Sequence, residues 1–135
     1  MDRPDNVPTG GPWESSYPIQ DALNYQDYRH TGNTYWAPNA VPATPTSADI
    51  TEYKNDLVTD IDVNYPFANN EYAAPNHQLQ KQPPNTMIMH WFAANGYNGA
   101  GTYTYFADPG WGGGTVSENT THDVVVAIGG RGFIW

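Results

Sequence analysis

A histidine and an aspartate in the last third of the chain are the residues whose types and spacing predict chemistry. His90 lies in the apolar run TMIMHWFAANGY, and Asp108 ends the run TYTYFAD before a proline. The turn sequence Gly-Tyr-Asn-Gly at 96–99 separates the runs, so we predict a β-hairpin over 86–109. Positions 90 and 108 are symmetric about residue 99, and opposed Cβ atoms in an antiparallel pair lie about 4.5–5.5 Å apart. An aspartate at that distance fixes the tautomer of an imidazole, as in a general base with its orienting group.

The same pair has a purely structural alternative, in which Asp108 satisfies a buried His90 that has no catalytic duty. Trp91 and Trp111, which flank the pair in sequence, are predicted to contact a substrate. No two histidines have the i, i+4 spacing of a zinc helix, and no phosphate-binding loop or serine-hydrolase elbow is present. We therefore predict no metal and no cofactor. The remaining histidines are His30, His77 and His122.

The elements that must position the pair follow from the periodicity of apolar residues and from proline and glycine. Of the 12 prolines, 11 lie in the first 84 residues, whereas ten of the 13 glycines follow residue 95. This predicts short helices joined by proline connectors, followed by strands joined by glycine turns. Helices are predicted over 17–29, beginning near Ser16, and over 47–63, capped by Thr46 or Ser47. A short strand is predicted over 66–72. The segment 123–135 fits either a strand or a short buried helix, capped by Thr120 or Thr121, before a final strand at 131–135.

These elements predict one α+β domain over 1–135, with a small antiparallel sheet packed against two or three helices. Residues 1–15 are predicted to be an extended lead-in. Residues 16–65 form the helical part with its proline-rich connector, and 66–135 form the antiparallel sheet.

Charge and composition exclude several partners. The chain has 5 basic and 14 acidic residues and a net charge of −9, with the basic residues scattered along its length. A nucleic-acid partner and an anionic membrane surface both require clustered basic residues, so neither is predicted. No apolar run is long enough to span a bilayer. The absence of cysteine excludes a thiolate metal site within these 135 residues.

Three stretches of this sequence resemble the C-terminal half of a bacterial peptidase family. They are LVTDIDVNYPFANN, HWFAANGYNGAGTYTYFADPGW and VVVAIGGRGFI. The order of elements and the second stretch resemble the papain-like cysteine peptidases related to the double-glycine leader peptidases, in particular the secreted, actinomycete-type members. The resemblance implies a papain-like fold, possibly truncated, peptide-bond hydrolysis of a peptide or protein substrate, and export of the parent protein. It also implies that His90 is the general base and that Asp108 orients it.

The sequence departs from that family at the nucleophile, a cysteine near the N-terminus preceded by a glutamine of the oxyanion hole. No cysteine is present. One alignment places Gly10 at the nucleophile. The other, which we prefer, matches residues 1–45 to the middle of the family domain and predicts that the chain is a fragment or is inactive as given. Nothing in the sequence supports Ser15 or Ser16 as a substitute. The alternatives are a non-catalytic peptide- or glycan-binding module and a structural protein that self-associates.

Overall fold

The computed structural model describes residues 7–15 and 17–135. The described part of the chain is an α+β fold with three helices and a six-stranded sheet, in agreement with the predicted class. The strand order in the sheet is β1-β6-β2-β3-β4-β5. In chain order the elements are α1 (Pro18–Thr31), β1 (Pro38–Ala40), α2 (Ser47–Asp62), β2 (Phe67–Ala73), β3 (Ile88–Asn98), β4 (Tyr103–Ala107), β5 (Val116–Thr120), α3 (Thr121–Ala127) and β6 (Gly132–Ile134).

The chain divides into two compact units. The smaller covers the chain up to Pro38 and includes Ile134; the larger covers Asn39–Phe133 and Trp135. In the smaller unit, Asn24 of α1 accepts a hydrogen bond from the Trp36 backbone N–H at 2.8 Å and donates to its carbonyl oxygen at 2.9 Å. These two hydrogen bonds hold the segment after α1 against the helix.

Helix α1 lies close to its predicted range. It ends at Gly32, whose φ of 77° is the left-handed conformation expected of a glycine that closes a helix. At its start, Tyr17 occupies the N-cap position without a side-chain hydrogen bond, and Pro18 is the first helical residue. The predicted start at Ser16 lies outside the described residues.

Helix α2 matches its prediction closely. Thr46 caps it through a capping box: its side chain accepts from the Asp49 backbone N–H, and the Asp49 carboxylate accepts from the Thr46 backbone N–H at 2.6 Å. The helix buries Tyr53 and Leu57 completely. The Tyr53 ring packs edge-on against Phe67 of β2 and Phe133 of β6, with ring centroids 5.3 and 4.9 Å apart. These contacts place α2 over one face of the sheet.

Strands β2 and β3 alternate between a buried and an exposed face. Phe67, Asn69, Glu71 and Ala73 of β2 are buried, whereas the residues between them are half-buried or exposed. On β3, Ile88 and Phe92 are buried while Met89 is 64% exposed. The sheet therefore has an inner face, which carries the core, and an outer face that carries Met89.

The hairpin is present, but its turn lies later in the chain than predicted. Residues 96–98 belong to β3, and a Cβ at Gly96 would lie 3.1 Å from the Tyr105 ring, so this glycine serves a close approach between strands rather than a turn. The register shifts between Ala94 and Gly96, as at a β-bulge. The chain reverses at Gly99–Thr102, and Ala100 has a φ of 51°.

The C-terminal segment is a helix followed by a strand. The Thr120 side chain accepts from the Asp123 backbone N–H at 3.1 Å and caps α3. Val124, Val125 and Ile128 are fully buried, which explains why apolar periodicity alone did not separate a helix from a strand here. No helix in residues 7–15 and 17–135 has the length and apolar character needed to cross a membrane.

Candidate functional site

Strands β2 and β3 and the end of β4 bring three ionisable side chains together. Across the β2–β3 ladder, His90 is paired with Glu71, and both belong to the inner-face pattern. Asp108 follows β4 directly. The prediction that His90 lies opposite Asp108 is wrong, because beyond the register shift between Ala94 and Gly96 the strands pair Ala93 with Ala107, which puts Asp108 across from Phe92. His90 is two residues from Phe92 on the same face of β3, so the two side chains nevertheless meet.

The carboxylate of Asp108 is fixed by the loop that follows it. Its Oδ1 atom accepts hydrogen bonds from the backbone N–H groups of Gly110 at 2.7 Å and Trp111 at 3.0 Å. The Asp108 carbonyl oxygen accepts from Gly112 N–H at 3.0 Å. A Cβ at Gly112 would lie 2.7 Å from that oxygen, so the loop requires a glycine there. The sequence Asp-Pro-Gly-Trp-Gly therefore folds locally into an Asx turn that holds Asp108 in place.

The imidazole of His90 contacts this carboxylate through one ring nitrogen. Its Nε2 atom lies 3.2 Å from Asp108 Oδ1, a hydrogen-bonding distance, but the N–H direction is not aligned with that oxygen. Nε2 is buried, whereas the side chain as a whole is 19% exposed. The second nitrogen, Nδ1, also has no hydrogen-bond partner within the described part of the chain. Unlike Nε2, it is not completely buried. The arrangement places Nε2 beside the carboxylate and leaves Nδ1 unpartnered for proton exchange.

A buried glutamate and a glutamine complete the cluster, and sequence reasoning missed both. Glu71 is 1% exposed, and its Oε2 atom lies 3.9 Å from His90 Nε2. The Gln82 amide donates to Glu71 Oε2 at 2.7 Å and to Asp108 Oδ2 at 3.2 Å. Gln82 is held in turn because its carbonyl oxygen accepts from the Leu79 backbone N–H at 2.8 Å. A glutamate between inward-facing residues of β2 was a usable signal, whereas Gln82 in a polar loop gave none.

The two carboxyl groups have opposite electrostatic environments. Burial raises the pKa of Glu71 to about 7, and the negative charge of Asp108 adds to this effect against a single hydrogen bond from Gln82. For Asp108, burial acts to raise the pKa, but the hydrogen bonds from Gln82, Gly110 and Trp111 and the charge of His90 outweigh it, so its pKa is lowered. Asp108 is thus the ionised member of the pair at neutral pH, whereas Glu71 keeps its proton to a higher pH than a solvated glutamate does.

The two predicted substrate-contacting tryptophans have different positions. The Trp111 ring packs edge-on against the His90 ring, with centroids 5.0 Å apart. Trp91 follows His90 on β3 and pairs with Asn70, so the alternation of the strand places it on the outer face. The structure brings Trp111 to the cluster and does not bring Trp91 there.

The other histidines and Ser15 do not belong to this cluster. His77 and His122 line a separate cavity of about 590 Å³ together with Asp123, and no member of the cluster lines it. His30 is in the last turn of α1. The Ser15 hydroxyl donates to Asp21 Oδ1 at 2.6 Å in the smaller unit, and Ser16 lies outside the described residues.

Glu71, His90 and Asp108 are close enough to contact one ion, since each offers a ligand atom within 4.8 Å of the others. However, the Gln82 amide already bridges the two carboxyl groups, and the loop N–H groups already bind Asp108. Asp108 is thus supplied with donors by the chain itself, whereas Glu71 Oε1 and His90 Nε2 are buried without a hydrogen-bond partner among the described residues. We interpret the cluster as a site for proton transfer.

Comparison of this chain with family models, with curated protein sequences and with solved structures finds no match.

Proposed function

We propose that this chain carries the general-base part of a papain-like peptide hydrolase, in which His90 moves the proton and Asp108 orients the imidazole. The observation that supports this most directly is the 3.2 Å contact between His90 Nε2 and Asp108 Oδ1. The loop N–H groups hold Asp108 independently of His90, so the orienting group is preorganised. The resemblance of 90–111 to the papain-like bacterial peptidases also supports the proposal, and with it export of the parent protein.

In a reaction of this class, His90 Nδ1 accepts the S–H proton of a thiol while the sulfur attacks the carbonyl carbon of a peptide bond. The C–N bond breaks, and the imidazolium gives its proton to the leaving amine. Water then hydrolyses the thioester. Asp108 stabilises the imidazolium between these steps. Because the 135 residues contain no cysteine, the thiol of this proposal lies outside the sequence given.

A second candidate function is binding of a peptide or glycan without hydrolysis. It is favoured by the absence of cysteine and by Trp111, whose side chain remains 38% exposed beside His90. An aromatic ring in that position offers an apolar surface to a ligand.

The proposal is tested by supplying the missing thiol. The chain is mixed with 2-mercaptoethanol and a peptide p-nitrophenyl ester, and p-nitrophenol release is followed against ester concentration. General-base catalysis contributes about 10²–10⁴-fold when well positioned, and we expect at least about tenfold saturable acceleration with a freely diffusing thiol. His90→Gln should abolish it.

The matched control is His30→Gln, which changes the same residue type at an exposed position of α1. It should retain the acceleration. Equal rates for the wild-type chain and His90→Gln would refute the general-base role. Saturable binding of the peptide without acceleration, seen as shifts of the Trp111 indole resonance, would support the second candidate instead.

A further inference from the structure

The two carboxyl groups of the cluster differ in how many donors they have. Asp108 accepts from two backbone N–H groups and from the Gln82 amide, whereas Glu71 accepts from Gln82 alone. Glu71 Oε1 is buried and has no hydrogen-bond partner among the described residues. A buried carboxylate with one donor and a neighbouring negative charge is costly, and a proton removes most of that cost.

Gln82 bridges the two carboxyl groups by hydrogen bonds. One amide nitrogen donates to both, at 2.7 Å to Glu71 and at 3.2 Å to Asp108. The Gln82 side-chain amide is held at both ends. Its carbonyl oxygen accepts from Leu79 N–H, and its nitrogen donates to Glu71, so Glu71 helps to set the orientation of the amide. The carboxyl of Glu71 thus acts on Asp108 through Gln82 and also lies 3.9 Å from His90 Nε2.

We propose that Glu71 is a positioning residue that holds Asp108 against His90 through the Gln82 amide. While Glu71 is protonated, the site carries a single negative charge beside the imidazole. When Glu71 loses its proton, a second charge appears next to Nε2 and next to Asp108. This inference rests on the proposed function, because it takes His90 as the general base whose orientation matters.

Few charged groups face Glu71. They are His90 from β3 and Asp108 from the end of β4. From the loop before β3 the facing group is the neutral Gln82, while the Lys81 ammonium donates to the Thr115 hydroxyl and the Val116 carbonyl oxygen. From α2, the Tyr53 hydroxyl donates to Asn69, not to Glu71. No described cation other than His90 is paired with Glu71, so its ionisation is governed by burial and by Asp108.

The direct test is a ¹³C NMR titration of the Glu71 side-chain carboxyl in the wild-type chain. We expect its midpoint near pH 7, as burial raises the pKa of Glu71 to about 7. A midpoint in the ordinary glutamate range, near 4.5, would overturn the inference. This readout needs no activity, so it separates failure of the inference from failure of the general-base proposal, which the thiol assay reports.

The positioning role is tested on the His90 ring by ¹⁵N NMR. In the wild-type chain the ring ¹⁵N shifts should change as Glu71 ionises. Glu71→Gln, a neutral mimic of the protonated acid, should keep the wild-type shifts recorded below the Glu71 midpoint and lose that change. Glu71→Ala should alter the shifts already below that midpoint. Glu118→Gln, the matched control at an exposed position of β5, should behave as wild type. Ring shifts identical to wild type at every pH in both Glu71 variants would refute the positioning role.

Discussion

The substitution Glu71→Gln should make stability less dependent on pH. An unfolded chain ionises a glutamate near pH 4.5, whereas the folded protein keeps Glu71 protonated until about pH 7. Between these values unfolding releases a proton, so the free energy of unfolding falls as pH rises. A pKa difference of this size corresponds to at most ~3 kcal/mol, lost between about pH 4.5 and 7 and constant above.

The assay is urea unfolding followed by tryptophan fluorescence at pH values from 4.5 to 8.5, for the wild-type chain, Glu71→Gln and the control Glu118→Gln. Burial also raises the pKa of Asp56 to about 6 and that of Asp60, but both groups are common to all three proteins. The free energy of Glu71→Gln minus that of wild type should therefore rise by up to ~3 kcal/mol across this range. Parallel pH profiles for the two proteins would refute the assignment of a protonated Glu71.

Two further substitutions test the elements that support the site. Tyr53→Phe removes the hydroxyl that donates to Asn69 at 3.0 Å in a fully buried position, and should lower the free energy of unfolding by about 1–2 kcal/mol. Thr46→Ala removes the capping box of α2 and should cost about 1 kcal/mol. Both are measured by urea unfolding at pH 7.

For Tyr53→Phe and for Thr46→Ala, one result would contradict the expected loss of stability or its cause. An unchanged stability of Tyr53→Phe would mean that the buried Asn69 finds another donor. For the cap, Thr51→Ala is the control, since its hydroxyl donates to the Ser47 carbonyl oxygen within the same helix without capping it. Equal losses in Thr46→Ala and Thr51→Ala would show that capping is not what stabilises the start of α2.

Local signals predicted most of the helices and the short strand before the hairpin. The Thr46 cap and the apolar spacing of Tyr53 and Leu57 predicted α2, because both signals depend only on residues that are close in sequence. β5 was missed, since the alternation of VSENT places a serine rather than an apolar residue at its buried position. β1 was missed because a three-residue strand at the edge of the sheet depends on its neighbour.

The site was predictable only in part. The sequence predicted a hairpin in this segment but not its register, because glycines lie both at a bulge and at the turn. A shift of one residue would move Asp108 to the outer face of the sheet, away from His90. Gly96 serves the bulge region and Gly99 the turn, a distinction that only packing against Tyr105 makes. Glu71 comes from another strand, so its meeting with His90 depends on strand order, which no local pattern encodes.

The tautomer of neutral His90, read from its ring ¹⁵N shifts and long-range ¹⁵N–¹H couplings, tests the central claim most directly. We expect the proton on Nε2, which lies 3.2 Å from Asp108 Oδ1, so that Nδ1 is the basic atom. A proton on Nδ1, or the fast-averaged shifts of an exposed histidine such as His30, would contradict it.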